Sequence, residues 1–275
     1  MKLKSIIASI MLFCMLAACR KGNGDNNNRQ ALYDSTPSPF MQKTVIALDA
    51  YHKQNAWLQV PVHYNSGFDT EKYPLLIFLN GRFEGSEYGG LEKLVSLGVP
   101  RYMADSIRFT FNQGGKQHQI IILCPQSANG HTSPLALNQT IDNMVAKYRV
   151  DPTRIYLTGL SSGASSVFSY LTYNQAFANR IAAAVPMSSI ELESEKIANL
   201  KFIAAANTPV KIFCGTKDDL FPENKSYADA INKYKPGLAL FTTYSGGHGS
   251  WNPLYNPTHE TYNPNMYEWM LQYHK

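Results

Sequence analysis

"YLTGLSSGASSVFSYL", residues 156–171, opens with the unbroken apolar run of a strand and closes with the spacing of a helix. At the junction Ser161 lies between Gly159 and Gly163. Glycines at a strand-to-helix turn permit a tight, strained backbone that a side chain would block. Such a turn lifts the serine clear of the main chain. One Gly-x-Ser-x-Gly match is weak alone, so the rest of the chain must supply a base, an acid and oxyanion donors.

Outward from that stretch, short apolar runs alternate with amphipathic ones. Strand candidates are "TVIALDAY" (44–51), "WLQVPV" (57–62), "PLLIFLN" (74–80), "QIIILCP" (119–125), "RIYLTGL" (154–160), "AAAVPMSS" (182–189), "VKIFCGT" (210–216) and "LALFTTY" (238–244). From residue 74 onward these runs lack polar alternation, as expected of parallel strands covered on both faces. Helices fit between them, most clearly at 137–148, 162–178 and 224–234. "RVDPT" (149–153) reads as a turn feeding the serine strand. The pattern predicts an α/β fold: an eight-stranded, mostly parallel, doubly wound sheet with helices on both faces. No long apolar insertion interrupts the strands, so no large cap domain is expected.

Two later strands run into acid- and histidine-bearing loops. "VKIFCG" leads to Thr216-Lys217-Asp218-Asp219, and "LALFTTY" leads to Ser245-Gly246-Gly247-His248-Gly249. Of the histidines after Ser161, His259 sits in a polar loop and His274 is next to last, which leaves His248 best placed. The order serine, acid, histidine is that of an α/β-hydrolase. A serine hydroxyl is a poor nucleophile at neutral pH, so His248 would take its proton and later return it to a leaving alcohol. Asp218 would orient the imidazole and stabilise its charged form. Taken singly, such an Asp is a turn former and such a His a surface or core residue; their joint order favours a triad.

The first residues are read as an address rather than as fold. Met1–Lys4 is basic and Ser5–Ala18 apolar, but too short to span a bilayer comfortably. Leu16-Ala17-Ala18-Cys19 resembles a bacterial lipobox, which predicts cleavage after residue 18 and lipidation of Cys19; the alternative is an ordinary signal peptide with a chance cysteine. Residues 19–41 are polar, Asn-containing and core-poor, a flexible tether ahead of a catalytic domain at 42–275. The expected location is the cell envelope, lipid-anchored, with Arg20 in place of Asp favouring the outer membrane.

Composition excludes other classes. Hydrophobic content of 44% and charged content of 16% suit a folded core. Loss of Lys2 and Lys4 with the leader takes the formal charge from +5 to +3, and no basic run marks a nucleic-acid surface. Cys124 and Cys214 end strand-like runs and are expected as buried free thiols, and no Cys/His spacing suggests zinc or another metal. No cofactor and no obligate protein partner are expected.

"KYPLLIFLNGRFEGS", "IIILCPQS", "YRVDPTRIYLTGLSSGA", "VKIFCGTKDDLFP", "GGHGSWNPLYN" and "YEWMLQYHK" together resemble small, lid-poor α/β-hydrolases related to feruloyl and acetylxylan esterases and polyhydroxybutyrate depolymerases. The resemblance spans about residues 45–273. It implies that Asp218, three residues after the glycine, is the acid in preference to Asp219. It also implies an oxyanion hole from the backbone N–H groups of Arg82 and Ser162. Three departures stand out. The family's His-Gly after the third strand is Asn80-Gly81 here, its small residue is Arg82, and the Trp following "CPQ" is absent from "SANGHTSP". Asn80 can serve as a structural hydrogen-bonder in place of the histidine. Arg82 points either to solvent or to an anionic part of a substrate. Phe83, Trp251 and Tyr255 are candidates to line an acyl or sugar cleft, or else to pack in the core. The implied function is a serine esterase acting on carbohydrate-linked esters. Competing readings are a peptidase of the same fold and a non-catalytic glycan-binding module at the cell surface.

Overall fold

Runs such as Tyr73–Leu79 and Val210–Gly215 are apolar at nearly every position, and both faces are buried only inside a sheet covered on two sides. That is where they lie in the computed structural model, which describes residues 41–275 apart from 49, 51, 63, 65–69 and 260. The leader, most of the tether and Cys19 lie outside the described residues. In chain order the strands are β1 (Met41–Ala47), β2 (Lys53–Gln59), β3 (Tyr73–Leu79), β4 (Thr110–Gln113), β5 (Lys116–Gln119), β6 (Ile121–Pro125), β7 (Val150–Leu160), β8 (Ala183–Met187), β9 (Val210–Gly215) and β10 (Ala239–Tyr244). Eight of them form one sheet in the order β1-β2-β6-β3-β7-β8-β9-β10. β1 and β2 pair antiparallel, as do β2 and β6; every later pairing is parallel. All eight strand candidates from the sequence are members of this sheet.

Successive side chains along a strand face opposite ways, so β3 feeds two cores. Leu75, Ile77 and Leu79 enter one cluster; Leu76 and Phe78 enter the other. The helices are α1 (Gly98–Ala104), α2 (Pro134–Lys147), α3 (Ser162–Leu171), α4 (Gln175–Ala178), α5 (Ser194–Ala198), α6 (Lys201–Ala205), α7 (Phe221–Tyr234), α8 (Asn252–Tyr255) and α9 (Met266–Met270). The first cluster is roofed by α2, α3, α6 and α7 through residues such as Ile141, Phe168, Ile203 and Ile231. The second is roofed by α1, α8 and α9 through Met103, Leu254 and Trp269. The long excursion between β3 and β6 adds Leu94, Val99, Phe109 and Phe111 to that second cluster. It is a packed layer, not a cap.

Three local expectations change. "RVDPT" is not a simple turn. Val150 pairs with Tyr73 and Ile155 with Leu75, so β7 bulges in between, with Asp151 accepting from the N–H and hydroxyl of Thr153. The helix expected over 162–178 ends at Leu171, and a second begins where the Asn174 side chain caps the N–H of Phe177. The β4–β5 hairpin was not anticipated; its turn is Gly114-Gly115, both at positive φ, between strands too polar to read as such. Among the described residues, no helix is long and apolar enough to cross a membrane.

Candidate active site

Ser161 follows β7 directly and caps α3, with φ 53° and ψ −122°, a conformation that costs an L-residue energy and persists only when its surroundings enforce it. The enforcement is visible. The Ser161 N–H donates to Met187 O at 3.0 Å, and its carbonyl accepts from Ser165 N–H at 3.1 Å. A Cβ on Gly163 would lie 2.2 Å from Leu79 O, so only glycine lets α3 seat this closely on β3.

From that perch the Ser161 Oγ lies 3.0 Å from His248 Nε2, and His248 Nδ1 lies 3.1 Å from Asp218 Oδ2. The Asp218 side chain is 1% exposed and that of His248 39%. Burial alone would raise the Asp218 pKa. The Leu220 N–H, the Ser188 hydroxyl and His248 outweigh it and hold the carboxyl below the ordinary aspartate range. An ionised Asp218 calls for the proton on Nδ1, which leaves Nε2 to accept from Ser161. Asp219 is exposed on the same loop. Trp251 packs edge-on against the imidazole at 4.8 Å and 82°, and is itself buried.

The opposite wall is built by the loops after β3 and β6, which are zipped together. Asn80 Oδ1 accepts from the N–H and the hydroxyl of Ser127, at 3.0 and 3.1 Å, and its amide donates to Gly81 O. Gln126 Nε2 donates to the carbonyls of Glu84, Gly89 and Gly90. The N–H groups of Ser86 and Glu87 donate to the carbonyls of Ser127 and Ala128. Arg82 opens a short 3-10 turn (Arg82–Glu84) and Ser162 opens α3, so neither backbone N–H has an acceptor within its own helix. Gly130, at φ +83°, keeps the space beside them open. A Cβ there would lie 2.6 Å from Arg82 N and 2.4 Å from Ser162 Oγ, a buried hydroxyl with no partner.

Between these walls lies a cleft of about 290 Å³, whose apolar lining includes Phe83, Leu160, Ile190 and Trp251. The Arg82 side chain is exposed and donates from Nε to the Tyr88 hydroxyl at 3.0 Å. Phe83 is 69% exposed at the rim, edge-on to Tyr88. Tyr255 does not belong to the cleft. It is fully buried, packs edge-on against Phe78 and lies 3.1 Å, hydroxyl to hydroxyl, from Thr158, because α8 turns that face into the second core. Glu84 and His131 line the cleft without having been singled out from the sequence. A lone His in "SANGHTSP" carries no local signal. Burial raises the Glu84 carboxyl, against the N–H groups of Glu84 and Gly81 and the charge of Lys93. Cys124 and Cys214 are free and buried, as expected, and burial pushes both thiols up. No group of three metal-ligating side chains occurs among the described residues.

No family model matches the chain. One curated relative, poly(3-hydroxyalkanoate) depolymerase C of Paucimonas lemoignei, is 32% identical over 68 residues, covering 18% of this chain and 16% of that protein. The match thus spans under a fifth of that relative's length. Among solved structures, a thermostable esterase superposes with a TM-score of 0.59 at 22% identity, covering 86% of this chain and 64% of that one. Esterase 2 of Thermogutta terrifontis, phosphorylated by paraoxon, gives 0.53 at 14% identity, covering 86% and 92%. A putative dipeptidyl aminopeptidase IV of Bacteroides ovatus gives 0.57 at 16%, covering 88% of this chain but 37% of that one. The architecture shared with these proteins, with Ser161 on the strand-to-helix turn after β7, is the α/β-hydrolase fold.

Proposed function

We propose that this protein is a serine hydrolase of carboxylic esters, acting on acyl groups carried by carbohydrate, with Ser161 as nucleophile, His248 as base and acid, and Asp218 as its orienting carboxylate. The hydrogen-bonded line from Ser161 through His248 to a buried, ionised Asp218 carries this reading. As Ser161 Oγ attacks the ester carbonyl carbon, His248 Nε2 takes its proton and Asp218 stabilises the imidazolium. The carbonyl oxygen becomes an oxyanion that the N–H groups of Arg82 and Ser162 receive. Collapse breaks the bond to the alcohol, which leaves with the proton from Nε2. Water, deprotonated by the same nitrogen, then attacks the acyl-enzyme and releases the acid. The esterases and the depolymerase among the similar proteins support ester bonds as the target.

A panel of p-nitrophenyl acetate, p-nitrophenyl butyrate, methyl ferulate, acetylated xylan and an alanyl p-nitroanilide tests this. Hydrolysis of esters that is lost in Ser161→Ala is expected. Cleavage of the anilide in preference to every ester would replace the reading with a peptidase, and an inert panel would leave a binding module. We further propose that Cys19 tethers the enzyme to the envelope; Cys19→Ser should then abolish labelling by a radiolabelled fatty acid.

A further inference from the structure

We propose that the alcohol half of the substrate runs from Ser161 past His131 into a second, more polar groove that binds a polyhydroxylated, sugar-like leaving group. This rests on Ser161 being the nucleophile. The groove, of about 450 Å³, adjoins the catalytic cleft, and His131 lines both. Their chemistries differ. Phe83, Leu160, Ile190 and Trp251 give the cleft an apolar wall that suits an acyl chain or ring. The groove is lined by Lys53, Gln54, Asn55, Ser86, Gln126 and Thr132, among others, and by no carboxylate among the described residues. Such a lining offers donors and acceptors on several sides, which matches a ring bearing several hydroxyls better than a simple alkyl alcohol.

One group there calls for a donor. Gln54 Oε1 is buried without a hydrogen-bond partner, and buried acceptors are ordinarily paired. A sugar hydroxyl is such a donor. An ester of methanol or ethanol has no O–H to give. The His131 side of the groove is also preformed. The N–H of Thr132 donates to Ser166 Oγ at 3.0 Å, and that hydroxyl reaches Gly130 O at 3.5 Å, so the backbone on either side of His131 is tied to α3. Ser161 caps the same helix, which fixes His131 relative to the nucleophile. Little chain ordering is left for binding to oppose.

The test pairs two substrates with the same acyl group, ethyl acetate and monoacetylated xylotriose, in wild type, His131→Ala and Gln54→Leu. Each variant is expected to lose about tenfold more in kcat/KM on the sugar ester than on ethyl acetate, the scale of one hydrogen bond, and Gln54→Leu, which lies outside the cleft, less than about twofold on ethyl acetate. Equal losses on both substrates, or none on either, would overturn the groove while the esterase reading stands. Titration of deacetylated xylotriose into Ser161→Ala, with and without His131→Ala, separates the two readings. Binding that His131→Ala removes supports the groove even if wild type cleaves no ester. Absence of binding, with ethyl acetate still cleaved, removes the groove alone.

Discussion

The two walls of the cleft are built differently. On one, Ser161, Asp218 and His248 each sit within four residues of the end of a parallel strand, β7, β9 and β10. Their positions follow from neighbouring strands ending at one edge of the sheet. On the other, Arg82, Gly130 and His131 stand on loops shaped by hydrogen bonds between residues 34 to 47 positions apart, Thr132 to Ser166 and Ser127 to Asn80. The groups proposed to react hang from the scaffold; those proposed to recognise the substrate hang from one another. A change on the first wall should therefore act on the chemical step whatever the substrate, and one on the second should act according to what is bound.

The largest expected effect lies on the first wall. Ser161→Ala should lower kcat by on the order of 10⁶, and His248→Ala by as much, because the two act as a unit. Steady-state kinetics on p-nitrophenyl acetate checks both. Asp218→Asn should cost about 10⁴ in kcat through the wrong imidazole tautomer, with Asp219→Asn near wild type; the reverse would move the acid to Asp219. Asp218 also carries a signature in stability. Its folded pKa lies below its unfolded one, so its contribution is full above the ordinary aspartate range and is lost as pH falls through the folded value. Chemical denaturation of wild type and Asp218→Asn should then show a gap at neutral pH that narrows as pH falls below the ordinary aspartate range.

Smaller effects mark the second wall. Gly130→Ala combines a positive φ with a close approach to Arg82 N, and should lower kcat on the order of 100-fold by disturbing one oxyanion donor. The strain should also cost roughly 1–3 kcal/mol of stability, read as a lowered Tm. Arg82→Ala removes a side chain but no backbone N–H. On a neutral ester it should change kcat by less than about threefold, since an exposed guanidinium held by Tyr88 takes no part in the proposed oxyanion hole. A larger loss confined to uronate-bearing esters would show that Arg82 also reads substrate charge.

The same contrast explains what could be read from the sequence. The inner strands of the sheet were legible because strands buried on both faces are apolar throughout, as in β3 and β9, while the half-exposed β1, β2 and β10 were legible only as short runs of β-branched, aromatic and other apolar residues. That Ser161, Asp218 and His248 come together was legible because each lies within four residues of the end of a strand. The β4–β5 hairpin was missed because "TFNQGGKQHQ" carries its signal only in Gly-Gly. Tyr255 was misplaced because nothing local says which way the single turn of α8 faces; packing against Phe78 decides it. His131 was passed over for the same reason, its place being set by Ser166 on another element.

The central claim is that Ser161 is an activated nucleophile, and labelling with a fluorophosphonate probe tests it most directly. Peptide mass spectrometry of the labelled protein should find one adduct, on Ser161, absent from Ser161→Ala and formed far more slowly in His248→Ala. An adduct on another residue, or ester hydrolysis that continues with Ser161 unlabelled at saturating probe, would contradict it.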